Sequence, residues 1–170
     1  MRADTPRDSY LDLRLAEASD LPKIRRLLAD DEFGRAREDL SEGMTSRYAR
    51  AFAAIEADAR NELWTAWKGD ALVGTYQVTY IPYLSRGGNE RCLIEAVRVA
   101  SSARGQGVGS QMMEFALERA RERGCLLAQL TSDKRRSAAH RFYERLGFVA
   151  SHEGMKLELS SLRSGRNAPA

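Results

Sequence analysis

"RGQGVG", Arg104 to Gly109, sets three glycines at alternate positions. Glycine at this density weakens any regular element, so the stretch reads as a loop. Just before it, "RCLIEAVRVA" is a mostly apolar strand. From Gly107 to Arg123 the sequence reads as a helix with Val108, Met112, Phe115 and Ala116 on one face, and Gly124 ends it. A strand, a glycine loop and a helix in succession suit an anion, because a helix start offers free N–H groups and partial positive charge. Arg104 adds a cation to the same place.

Two anion motifs fail on spacing. The P-loop requires Lys-Ser or Lys-Thr after its last glycine, and neither follows here. The dinucleotide fingerprint requires a third glycine where Ser110 stands, and its loop follows the first strand of a fold, whereas this one follows the fourth. A purely structural reading also stands, in which the glycines serve close packing of the helix start.

Outward from the loop, the chain alternates strand and helix patterns. "YLDLRLA" alternates Leu11, Leu13 and Leu15 with polar residues, as a strand does. "SDLPKIRRLLADD" begins a helix, with Ser19 as its expected N-cap, Pro22 in its first turn and Leu21, Ile24, Leu27 and Leu28 as its stripe. A charged irregular stretch precedes a second helix, with Tyr48, Phe52 and Ile55 at helical spacing. "ELWTAWK" and "ALVGTYQVTYI" flank Gly69-Asp70, a hairpin signal. Beyond Gly124, "LLAQLT" reads as a strand and "SAAHRFYERLG" as a helix with Ala138, Phe142 and Leu146 on one face, closed by Gly147. "FVASH" and "MKLEL" read as a final strand pair. The expected order is β-α-α-β-β-β-α-β-α-β-β. This is an α/β fold: a single domain over residues 10–160, with a mixed, mostly antiparallel central sheet flanked by helices. Residues 1–9 and 161–170 are expected to be loose termini.

A chain of 170 residues with 43% hydrophobic and 30% charged residues fits one globular domain. The net charge of +3 and the interspersed acids and bases give no reason to expect a nucleic-acid partner. No apolar run reaches the ~18 residues of a membrane span, and the start lacks an apolar leader, so a cytoplasmic location is expected. Cys92 and Cys125 show no metal spacing and no neighbouring histidine, and are expected to be buried thiols in a reducing compartment. No histidine, cysteine and acid cluster has metal spacing, so no metal is expected.

The loop and its surroundings resemble the GNAT superfamily of N-acetyltransferases. That family's acyl-CoA loop is [RQ]-x-x-G-x-[GA], and "RGQGVG" matches it. "IEAVRVASSARGQGVG" resembles the family's I-E-x-L-x-V-x-P-x-x-R-G-x-G-I-G, departing at Ala96-Val97 and at Ala100 or Ser101. "AAHRFYERLGF" resembles its A-x-x-F-Y-x-x-x-G-F. The common asparagine seven residues before the tyrosine is Arg136 here, and "KRRSAAHRFY" is closer to aminoalkylphosphonate N-acetyltransferases. The resemblance runs from about Leu11 to Leu159, with its specific motifs between Glu95 and Phe148.

The resemblance implies acetyl-CoA as cosubstrate. Its pyrophosphate would lie on the N–H groups from Gln106 to Ser110, through Gly107, Val108 and Gly109, with Arg104 and Gly105 in the same loop. Its pantetheine arm would pair with the strand edge at Val97, Arg98 and Val99, exposed where the fourth and fifth strands splay. Asp133, Ser137 and Tyr143 join the cofactor set on the same ground. Lys134, Arg135 and Arg136 either face the 3′-phosphate or form a solvated basic patch.

Amine attack on a thioester needs a neutral amine, a stabilised oxyanion and a proton for the leaving thiolate. Tyr143 stands where the family has its tyrosine and is the candidate acid, the alternative being simple packing beside Phe142. Glu95 is the candidate base. Within the apolar "LIEAV" it is expected to be buried, on the same face as Val97 and Val99, with a raised pKa. Its alternatives are an ion pair with Arg91 or Arg98, or a solvated edge, with ordered water as base. His140 either lines the CoA channel or is structural; His152 is the other histidine.

The acceptor is expected to be a small-molecule amine. An acidic stretch with Asp30, Asp31, Glu32, Glu38, Asp39 and Glu42 either attracts a cation or is a solvated helix end with its own arginines. Acylation of a protein amine and a catalytically silent acyl-CoA-binding module are the alternatives, and a homodimer is compatible with the family.

Overall fold

The computed structural model describes residues 11–35, 38–41 and 45–159, with Phe33 described through its backbone alone. The expected loose termini and Glu42 lie outside the described residues. The chain falls into two compact units, one ending at Leu130 and one beginning at Thr131.

The first unit is built on a five-stranded sheet in the order β1-β2-β3-β4-β5. The strands are β1 (Asp12–Leu15), β2 (Asn61–Lys68), β3 (Ala71–Pro82), β4 (Glu90–Val99) and β5 (Leu127–Leu130). The first four pair antiparallel; β4 and β5 pair parallel, as a strand-helix-strand crossover requires. The β2–β3 hairpin turns at Gly69-Asp70, where Gly69 has φ +54°, as its sequence signals.

Helices cover both faces. On one lie α1 (Leu21–Leu28) and α3 (Thr45–Glu56), with the single turn α2 (Glu32–Arg35) between them. On the other lies α5 (Val108–Glu122). A short turn, α4 (Ser85–Gly88), precedes β4. Alternation along β3 explains the two layers. Tyr76, Val78 and Tyr80 are buried on the α5 side with Cys92, Ile94, Met112 and Met113, while Thr75 and Gln77 face α1 and α3. Gly74 leaves room for the Met112 thioether, since a Cβ there would collide with that sulfur.

Two local readings need correction. Ser19 does not cap α1: it lies inside a 3-10 turn, Ala18–Asp20, through which the chain enters the helix. That turn moves the cap one residue on, to Asp20, whose carboxylate accepts the Glu17 N–H at 2.9 Å and meets Arg14 at 3.0 Å. The expected loop after β3 contains α4, which is broken by the positive φ of Arg86 and Gly87.

The second unit contains α6 (Ser137–Arg145), closed by Gly147 at φ +90°. No residue of α6 is buried. Phe142 and Leu146 are half-buried, but Ala138, expected on the same face, is exposed. The strand pair expected from "FVASH" and "MKLEL" does not form: the described residues after Gly147 contain no strand. Apolar alternation alone does not make a strand, because each edge needs a hydrogen-bonded ladder. Val149, Met155 and Leu157 are exposed.

Candidate active site

The strand, glycine loop and helix predicted around Arg104 fold as one continuous feature. β4 leads through a short 3-10 turn (Ser101–Ala103) into the loop, and α5 starts at Val108. Gly105 and Gly107 have φ +74° and +79°, a backbone region costly for any side chain. Nothing lies within 4 Å of a Cβ built on Gly105, and one on Gly107 meets only the Gln111 amide at 3.8 Å. The glycines at 105 and 107 are therefore there for backbone conformation and open approach, not for tight packing. Gly107 is the N-cap of α5 and brings no side chain to the first N–H groups of the helix. Val108 is buried beneath the loop, while Gly109 and Ser110 form the half-buried first turn.

Arg104 has structural work within this feature. Its Nε donates to the Val99 carbonyl at 3.1 Å, and its Nη2 lies 3.4 Å from the Asp30 carbonyl and 3.7 Å from the Asp30 carboxylate. Gln106 is held from both ends: its amide donates to the Ser102 carbonyl at 2.8 Å, and its Oε1 accepts from Lys68 Nζ at 2.9 Å. Lys68 was not predicted. It ends β2, and only the folded hairpin carries it to a loop 38 residues further on.

β5 ends before β4 reaches the loop. The parallel pairing runs from Arg91↔Leu127 to Ile94↔Leu130, and β4 continues to Val99. On that side Glu95 to Val99 have no strand partner among the described residues, because β5 ends at Leu130. On its other side β4 carries a bulge. Gln77 pairs with Glu95 and Thr75 with Arg98, so Ala96 and Val97 together oppose Tyr76. Ala96 takes φ +51°, a strained value for alanine.

The bulge corrects the expectations for Glu95. Directly paired residues share a face, so Glu95 lies with Gln77 and Arg98 with Thr75, while Val99 pairs with Gly74 on the α5 side. Glu95 and Val99 therefore point to opposite faces. Nor is Glu95 buried: it is exposed, as is Ala96, while Val97, Arg98 and Val99 are half-buried. The Arg98 guanidinium turns back to the Val97 carbonyl at 2.9 Å.

The α1 and α3 side of the bulge holds a cavity of about 110 Å³. The acidic stretch beside it is engaged locally. The Asp30 carboxylate accepts the Ser101 N–H at 2.6 Å, Asp31 accepts the Gly34 N–H, Glu38 accepts the Tyr48 hydroxyl at 2.6 Å, and Asp39 accepts the Ser41 N–H. That last bond holds the exposed Asp39 carboxyl below its ordinary range. This arrangement fits the helix-end reading rather than an open acidic rim.

In the second unit, Tyr143 packs against Phe142 and Phe148, with ring centroids 5.1 and 5.9 Å away. Asp133 anchors the turn before α6. Its carboxylate takes the Arg135 side chain and N–H, at 2.8 to 2.9 Å, which holds its carboxyl well below the usual range. His140 Nε2 lies 2.9 Å from the Asp133 carbonyl, which matches the structural reading. Arg136 is the N-cap residue and Ser137 the first residue of α6. Lys134 reaches Glu153 at 3.4 Å.

Cys92 is fully buried, and burial pushes its thiol up to about 12; Cys125 is half-buried and is raised for the same reason. Neither is a thiolate nucleophile near neutral pH. No cluster able to hold a metal occurs among the described residues. No helix there is long and apolar enough to cross a membrane.

The sequence profile of the acetyltransferase (GNAT) family matches residues 21–148, a span that takes in the unpaired end of β4, the glycine loop and α5. The chain belongs to that family of acetyltransferases. It is 42% identical over 59 residues to the aminoalkylphosphonate N-acetyltransferase of Salmonella typhimurium (35% of this chain, 38% of that protein). It is 35% identical over 88 residues to the glucosamine 6-phosphate N-acetyltransferase of Trypanosoma brucei brucei (52% of this chain, 58% of that protein). These alignments thus span 38% and 58% of the two relatives, less than two thirds of either. The crystal structure of a protein described as a transcriptional regulator, from Bacillus halodurans C-125, superposes with a TM-score of 0.85 at 50% identity, over 88% of this chain and all of that one.

Proposed function

We propose that residues 10–160 act as one catalytic domain, which transfers the acetyl group of acetyl-CoA to a primary amine of a small molecule by direct attack, with no covalent enzyme intermediate. One observation carries this reading: β4 outruns β5 by five residues, Glu95 to Val99, immediately before a glycine loop that opens a helix. The residues present suit the cosubstrate. Open space over Gly105 and Gly107 and the uncapped start of α5 fit a pyrophosphate held by the N–H groups from Gln106 to Ser110. Lys68 and Arg104 supply positive charge beside it.

The edge at Val97, Arg98 and Val99 has the length to pair with an extended pantetheine arm, and its N–H groups are candidates to stabilise the oxyanion. Glu95, exposed beside Gln77, takes the amine's proton directly or through water. Tyr143 gives a proton to the leaving thiolate, and Asp133 and Ser137 complete the cofactor set. A cytoplasmic location is part of the same proposal.

Acetyl-CoA is expected to raise the melting temperature, and free thiol is expected to appear with at least one member of an amine panel. No thermal shift at millimolar acetyl-CoA would remove the cofactor reading. A shift without turnover of any amine, peptides included, would make the chain a silent acyl-CoA-binding module. Turnover of peptide amines alone would move the acceptor to proteins.

A further inference from the structure

The cavity beside the β4 bulge has walls of one chemical kind. Leu21, Ile24 and Leu28 of α1, Phe52 and Ile55 of α3, and Leu63 of β2 form them, with Ala96 of the bulge. Residues with polar atoms also line it, but most turn those atoms elsewhere. Thr75 donates its hydroxyl to the Trp64 carbonyl at 2.8 Å. Tyr48 donates to Glu38 at 2.6 Å. Arg25 sends Nη1 to Thr45 and Nη2 to the Asp39 and Ser41 carbonyls, each at 3.0 Å. The cavity is thus apolar along its length. Gln77, paired with the exposed carboxylate Glu95 of the strand that carries the bulge, adds a polar side chain to the lining.

We infer that the acceptor is a primary amine with a short branched aliphatic arm, bound with the arm in this cavity and the nitrogen toward Gln77 and Glu95. The inference rests on the proposed acetyl transfer. Size supports it: about 110 Å³ is smaller than the ~150 Å³ apolar cavity that holds a benzene ring, and suits an arm of about four or five carbons. Chemistry supports it as well. Hydroxyl or phosphate groups of a hydrophilic acceptor would enter a space where Thr75, Tyr48 and the Nη atoms of Arg25 are already bonded, with only the buried Arg25 Nε and Gln77 left to meet them. An apolar pocket discriminates between arms differing by single methylenes by roughly 10- to 200-fold.

The test uses isopentylamine against ethylamine, putrescine, 2-aminoethylphosphonate and glucosamine 6-phosphate, followed as thiol release from acetyl-CoA. A kcat/KM for isopentylamine at least tenfold above every other amine is expected. In Ala51→Leu, a change at an exposed α3 residue that lines the cavity, the ratio of isopentylamine to ethylamine is expected to fall at least tenfold, through KM. A retained thermal shift with acetyl-CoA identifies a folded variant. Equal or faster turnover of the hydrophilic amines overturns the inference, and so does an unchanged ratio in the variant.

If acetyl-CoA neither binds nor is turned over, the acetyl-transfer reading fails separately. The cavity is then read by saturation-transfer NMR with isopentylamine alone. A saturation signal that disappears in Ala51→Leu supports the arm site. No signal with the wild type, or an undiminished one with the variant, overturns it.

Discussion

Arg119 on α5 and Glu62 on β2 form a two-pronged ion pair, with Nη2 2.7 Å from Oε1 and Nε 3.1 Å from Oε2. The Trp64 indole donates to the same carboxylate at 2.8 Å, and Tyr80 lies 3.3 Å away. Burial pushes this carboxyl upward, but the bonds from Arg119, Trp64 and Tyr80 outweigh it and leave the pKa lowered. The pair joins α5 to the sheet on the face opposite the cavity.

A folded pKa below the ordinary 4.5 means that this carboxylate adds stability above pH 4.5 and loses it as the pH falls toward the folded value. Urea midpoints measured from pH 7 to pH 3 should show that loss, and Glu62→Gln should shrink it. Arg119→Ala, which strands a half-buried carboxylate, should cost about 2 kcal/mol at pH 7. A cost within about 0.3 kcal/mol would show that solvent had already screened the pair.

Gly107 and Gly124 allow strain to be separated from binding. Both have positive φ, +79° and +85°, and a Cβ meets no close neighbour at either. Alanine at each should cost a similar ~1–2 kcal/mol. Only Gly107→Ala should also weaken the thermal shift with acetyl-CoA, because Gly124 closes the far end of α5. Equal shifts in the two variants would leave the glycine loop with a folding role alone.

Tyr143→Phe keeps the ring that packs on Phe142 and Phe148 and removes only the hydroxyl. A fall of at least tenfold in kcat, with little change in stability, is expected from stopped-flow thiol release. Wild-type rates would take the acid role away from Tyr143.

Glu95→Gln changes an exposed side chain and should alter stability by less than about 0.5 kcal/mol. At the same time kcat/KM for the amine should fall. An unaltered rate across pH 6 to 9 would leave water as the base.

Cys92, sealed in the sheet with its thiol pushed up to about 12, should resist a disulfide reagent at pH 7.5 until denaturant is added. Native labelling of both thiols within minutes would contradict that packing.

The elements that announce themselves by local chemistry were legible from sequence. Gly69-Asp70 turned the hairpin, and Gly105 and Gly107 took the positive φ that their loop needed. The β4 bulge was not legible. Ala96 carries no residue-type signal for φ +51°, yet one extra residue there changes which face Val99 shares with its neighbours. Ser19 looked like a cap because a single 3-10 turn leaves no mark in composition. "MKLEL" has strand alternation, but pairing is a non-local property that alternation does not encode. The acidic stretch left a cation rim and a helix end both open because sequence shows charges without their partners; Asp30 finds Ser101 only in the folded chain.

On the proposed reading, the strand edge at Val97 to Val99 and the start of α5 recognise their ligand with main-chain atoms. Such a surface is almost invisible to alanine scanning, because every substitution keeps the N–H and C=O groups. A mutational map of this protein should therefore look deceptively tolerant along the cofactor path, interrupted at Gly105 and Gly107, where the backbone itself would have to change. Selectivity for a different acceptor could then be evolved on α1 and α3 without disturbing the acetyl donor.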